Sequence, residues 1–160
     1  MLAATAYQWW VFIHLAGVFG FLLAHGASVG VLFRLRKERD REKVRELIQF
    51  SGSTIRLFYV SLLVLLVGGV GAGLKGHWFH YQWIWEAIGV LVFISLAMYG
   101  MARPYYRKIS AATELRPSGV PRVSDEDLVL RLQSSTPIVV AWIGFVGLLV
   151  ILWLMIFKPS

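Results

Sequence analysis

Residues Tyr7–Phe33 read YQWWVFIHLAGVFGFLLAHGASVGVLF, 27 positions without a charge. At a rise of 1.5 Å per residue, a helix of this length crosses a hydrocarbon core of roughly 30 Å with some tilt. The stretch holds two of the chain's four histidines, His14 and His25. Eleven positions at about 100° each bring them within about 20° of one another around the helix, roughly 16 Å apart along it. A histidine is costly in lipid, so this face is expected to look at other helices or at a cavity.

Working outward, three more apolar runs follow: 56–76, 83–103 and 136–157. With 58% hydrophobic residues in 160, the chain reads as one all-α membrane domain, an antiparallel four-helix bundle with helical extensions on one side. There is no cysteine, which excludes disulfides, thiolate metal sites and thiol nucleophiles. The formal charge of +7 does not point to nucleic acid, because the basic residues bracket the spans and fit orientation and anionic lipid instead.

Those basic residues are lopsided. Arg34, Arg36, Lys37, Arg39, Arg41, Lys43, Arg45 and Arg56 lie between the first two spans. Arg103, Arg107, Lys108, Arg116, Arg122 and Arg131 lie between the last two. Only Lys75 and Lys158 lie on the other side. Both long segments are therefore expected in the cytoplasm and both termini outside, as for a multi-pass protein of a bacterial inner membrane. Trp9, Trp10, Trp78, Trp83 and Trp85 mark the outer interface.

Several local expectations follow. Arg34 to Phe50 has no proline or glycine and reads as a helix, free to continue the first span, with i,i+3 pairs Glu38–Arg41 and Glu42–Arg45. Val44, Leu47 and Ile48 give it a narrow apolar stripe. Ser51-Gly-Ser-Thr54 reads as a break, with Ser53 or Thr54 capping the next helix. The third span is expected to end near Arg103-Pro104. Ser124, with Asp127 three positions on, predicts a short helix from Asp125 to about Gln133, and Pro137 suits the first turn of the last span. Gly26 and Gly30 form a GxxxG pair, and Gly68, Gly69, Gly71 and Gly73 crowd one half of the second span; both patterns allow close approach of helix or cofactor. Glu86 is expected to pair with Lys75.

For chemistry, His14 lies about seven residues in from the outer end of the first span and His77 at the outer end of the second, and a moderate tilt or a slightly longer second helix brings the two imidazoles to one haem iron. Gly73 shares the face of His77 and leaves room for a flat ring. His25 lies deeper, at a depth comparable with Met98, so His/Met ligation is open there too. Imidazole and thioether also suit copper, although Met98, Met101 and Met155 form no dense motif. No Ser/His/acid constellation and no HExxH run supports hydrolysis.

The first span, with Trp9, four intervening residues, His14 and then Leu-Ala-Gly-Val-Phe-Gly, resembles the opening helix of a group of small bacterial membrane proteins. That group takes in the copper resistance protein D family, the HemJ-type protoporphyrinogen oxidases and a related uncharacterised family of predicted integral membrane proteins, to which the chain is most similar. The resemblance implies four spans, and from the HemJ type it implies haem binding by His14. The third span has no histidine or lysine matching that type's other functional positions, so the resemblance does not carry porphyrinogen oxidation over. The sequence thus leads to a redox-associated membrane protein with a haem b site. The alternatives are a cofactor-free accessory or scaffold subunit, packed in a larger membrane complex or a homodimer, and a copper-related protein.

The charge asymmetry makes a direct prediction. A cytoplasm-active reporter fused at Glu114 is expected to be active, and one fused after Ser160 inactive; activity of both would place the two positions on one side and exclude four spans.

Overall fold

The computed structural model describes residues 5–159. Among them there are five α-helices: α1 (Ala6–Lys37), α2 (Arg41–Lys75), α3 (Gln82–Thr113), α4 (Asp125–Leu132) and α5 (Thr136–Phe157), with one 3-10 turn at Trp78–His80. Four segments are long and apolar enough to cross a membrane, and the fold is an all-α four-helix bundle.

The bundle is two antiparallel hairpins. α1 lies along α2, and α3 along α5; contacts between the hairpins are sparse. A row of small residues sets the α1–α2 spacing. A Cβ on Gly17 would stand 2.6 Å from the Cα of Leu65, and one on Gly68 would stand 2.7 Å from that of His14. Gly20 faces Ser61, and Gly71 lies under the ring of Trp10. Further along, Ser28 Oγ and Thr54 Oγ1 share a hydrogen bond of 3.1 Å. In each pair the α1 number rises as the α2 number falls, which fixes one antiparallel register. Backbones this close gain dispersion contacts that apolar side chains in lipid do not supply. Gly26 and Gly30, expected to make close contact, have nothing within 4 Å of where a Cβ would stand and face outward.

The other end of the bundle differs from the expectation in an instructive way. The chain breaks not at Ser51–Thr54 but at 38–40. Glu38 Oε1 accepts the N–H groups of Arg39 (2.9 Å) and Asp40 (3.1 Å). Asp40 then caps α2 through the N–H groups of Glu42 and Lys43. The bonds from Arg39 and Asp40 hold the Glu38 carboxyl below the usual range, so what they add to the turn is present at neutral pH and lost as acid protonates it. At the expected break, Ser53 Oγ donates to Phe50 O (2.7 Å) and Thr54 Oγ1 to Ser51 O (2.8 Å). The hydroxyls bond back to their own helix instead of capping a new one, and α2 runs through. Likewise α3 does not stop at Pro104. The proline takes one N–H from the ladder, but Tyr105, Ile109 and Ala112 beyond it are buried and hold the helix to Thr113.

These extensions build the best-buried core of the chain. Leu35, Val44, Ile109, Leu128 and Leu132 are each at most 1% exposed, with Val31, Leu32 and Tyr105 around them and Leu47 and Ile48 against its edge. Three arginines stitch it together. Arg41 donates to Ala112 O (2.5 Å), Val123 O (2.9 Å) and Asp125 Oδ1 (2.7 Å). Arg45 donates to Thr113 O (2.8 Å) and pairs with Glu42 as expected. Arg36 donates to Ser134 O. α3 has no basic residue in its last turn; α2 supplies that charge to its final carbonyls from outside. The expected Glu38–Arg41 pair is replaced by Arg41–Asp125. α4 begins as expected, with Ser124 Oγ accepting Asp127 N–H at 3.1 Å. At the opposite end Glu86 accepts from Gln82 Nε2 (2.9 Å) and not from Lys75, while Lys158 Nζ sits 4.0 Å from the centre of the Trp78 ring, a cation–π contact.

The register predicts a contrast between glycines. Gly68→Ala forces a methyl group against the His14 backbone and should destabilise the protein by about 1–3 kcal/mol. Gly26→Ala meets open space and should be neutral or slightly stabilising. Thermal unfolding in one detergent compares the two; equal melting temperatures would refute the register.

Candidate functional site on the histidine face

The glycine row decides the surroundings of His14. Gly69 has no side chain, so the His14 ring lies over it; a Cβ there would be 2.9 Å from Nδ1. This brings Nδ1 to 2.8 Å from the carbonyl oxygen of Leu65. A carbonyl only accepts, so Nδ1 carries the proton and donates. The Leu65 oxygen has a second lone pair and can take this bond beside its helical one. In the neutral ring, Nε2 then holds the free lone pair. Nε2 makes no hydrogen bond among the described residues, and it is not sealed inside the bundle. His14 is only half-buried, about 6 Å in from Trp10 along the helix.

His25 lies on the face of α1 that carries His14, eleven positions on, and meets a different helix. Its Nε2 and the sulfur of Met98 both lie against Gly144 of α5, at 2.6 Å and 3.3 Å from where a Cβ would stand. Its ring stacks on that of Phe21 at 6.4 Å between centroids and 11° between planes. Three helices, α1, α3 and α5, therefore meet at His25, which lies in the seam between the hairpins, whereas His14 packs on α2. Gly147, packed against Ile94, continues the α3–α5 contact.

His25 and Met98 are thus brought together; His14 and His77 are not. His77 lies nine positions past Gly68, the α2 residue level with His14, which is roughly 13 Å at the helical rise. It also lies beyond the last residue of α2, in a left-handed conformation with φ 55°, beside His80 at 6.5 Å between ring centres. The space over Gly73 is taken by Phe79 and Ile84. A two-imidazole clamp made by His14 and His77 on one iron does not fit this arrangement. His14 has an N–H anchored on a carbonyl, which orients the ring and leaves the far nitrogen free. No group of three or more His, Cys, Asp or Glu side chains gathers among the described residues.

Two parts of this site had no separate signal in the sequence. The Leu65 carbonyl belongs to the backbone and carries no side-chain identity. Gly144 is one glycine among 15, and only its place against α1 gives it meaning. Comparison with known proteins found no matching family model, no match among curated proteins and no matching solved structure.

Because His14 is tied to α2 and His77 is not tied to the bundle, their alanine variants should differ. His14→Ala is expected to lose about 1 kcal/mol of stability. His77→Ala should stay within about 0.5 kcal/mol of the parent, as exposed positions do. Thermal unfolding of both proteins in detergent checks this.

Proposed function

We propose that this chain is a redox-associated membrane protein in which His14 holds a haem b iron through Nε2, with both termini outside a bacterial inner membrane and the arginine-rich end in the cytoplasm. The observation that carries the reading is the 2.8 Å bond from Nδ1 to the Leu65 carbonyl. It fixes the ring and its tautomer and leaves a lone pair without a partner at membrane depth, where an unsatisfied polar group costs several kcal/mol, as an order of magnitude. A haem bound there supplies one-electron chemistry. The chain's own part is to orient the imidazole, through Gly69 below it and Leu65 beside it. His77 has no part in ligation on this reading, so the chain itself gives the iron one imidazole and not two.

A second reading has its own observation. His25 and Met98 meet over Gly144, and nitrogen with thioether sulfur is a donor set for monovalent copper. The seam at Gly144 is narrow, so these two side chains suit a single ion better than a porphyrin.

The test is an absorption spectrum of protein produced with ample haem, purified and reduced with dithionite. A Soret band that is lost in His14→Ala and unchanged in His77→Ala supports the haem reading. A band that persists in His14→Ala overturns it. A colourless protein that binds monovalent copper, and loses it in Met98→Leu, favours the second reading. A colourless protein with no copper leaves His14 as a helix-packing residue of an accessory or scaffold subunit in a larger complex or a homodimer.

A further inference from the structure

At the arginine-rich end, a cleft of about 280 Å³ opens between α3 and the junction of α4 with α5. Its lining is graded. Met101 and Pro104 stand on the side of the third span, and Lys108, a turn further on, and Arg131 from α4 stand on the other. No acidic residue lines it among the described residues. Among those residues, too, neither Lys108 nor Arg131 pairs with a carboxylate. Ser134 and Thr136 close one wall, their hydroxyls bonded to each other at 3.0 Å and Ser134 Oγ accepting the Thr136 N–H at 3.2 Å.

Tyr105 also lines this cleft. The residue is 6% exposed, and its hydroxyl is the one buried side-chain polar atom among the described residues with no hydrogen-bond partner. Such a group costs stability unless something bonds it. Two cations without a carboxylate partner, and a tyrosine on the wall whose hydroxyl has no partner, favour an anion that accepts several hydrogen bonds. The apolar lip formed by Met101 and Pro104, at the level where the third span ends, favours an anion attached to hydrocarbon.

We propose that this cleft binds the phosphate of an anionic phospholipid, with the headgroup between Lys108 and Arg131 and the acyl chains along the span side of α3. The ligand is recognised by charge and by hydrogen bonding to phosphate oxygens, as in basic interhelical pockets at the cytoplasmic leaflet. The site is separate from the histidine face and does not depend on what His14 binds.

The experiment uses the full chain in detergent, with native mass spectrometry for bound lipid and thermal unfolding as the second readout. Phosphatidylglycerol is expected to bind and to raise the melting temperature, and phosphatidylcholine to do neither. At about fivefold for each cation near an anionic headgroup, Lys108→Gln/Arg131→Gln should weaken phosphatidylglycerol binding by roughly twenty-five-fold. Lys37→Gln/Arg116→Gln, which removes the same charge elsewhere, should keep most of it. Tyr105→Phe keeps the buried ring and removes the unpartnered hydroxyl, so it should melt no lower than the parent without lipid and gain less from phosphatidylglycerol. Equal loss in the two double variants, or equal binding of the two lipids, would overturn the proposal. Stabilisation by inorganic phosphate as large as that by the lipid would also overturn it, assigning the cleft to a free anion.

Discussion

The contact between the backbones of α1 and α2 is the constraint on which the rest depends. In hydrocarbon, apolar side chains gain little by leaving lipid for one another, so helices associate where small residues let backbones touch. Gly17 against Leu65 and Gly68 against His14 are such contacts, and neither tolerates a Cβ without movement. They set the register, and the register places the His14 ring over Gly69 within reach of the Leu65 carbonyl. A histidine that would be a liability on a free helix becomes an oriented ring with one nitrogen satisfied.

The second hairpin is joined to the first mainly outside the apolar spans. The deepest burial lies at the arginine-rich end, where Leu35, Val44, Ile109, Leu128 and Leu132 gather from four helices. Water supplies there the driving force that lipid does not. The arginines complete the junction in a way charge counting does not anticipate. Arg36, Arg41 and Arg45 turn toward backbone carbonyls at the ends of α3 and α4, where donors are missing by the geometry of a helix end. The same residues that orient a membrane protein by their charge also hold its helices by their hydrogen bonds.

Between these two ties lies the seam of the hairpins. His25 and Met98 cross it at Gly144, and His14 lies on the same face nearer the aromatic end. The cleft beside Lys108 lies elsewhere, where α3 meets the α4–α5 junction.

What the sequence determined by itself is what depends on local composition and period. Four apolar runs, the basic asymmetry, the shared face of His14 and His25 and the cap at Ser124 are each legible within one segment, because helical spacing and hydropathy are properties of neighbours along the chain. What only the tertiary structure decided is what depends on neighbours in space. Ser51–Thr54 had the composition of a break, yet its hydroxyls found carbonyls in their own helix, while Glu38 and Asp40 made the turn. Pro104 marked an ending that buried residues beyond it overrode. His14 and His77 looked matched in depth along two helices, but the glycine register set them apart and gave His14 a backbone carbonyl instead. A carbonyl has no letter in the sequence, so a side chain's bond to one on another helix becomes visible only when the two backbones are placed together.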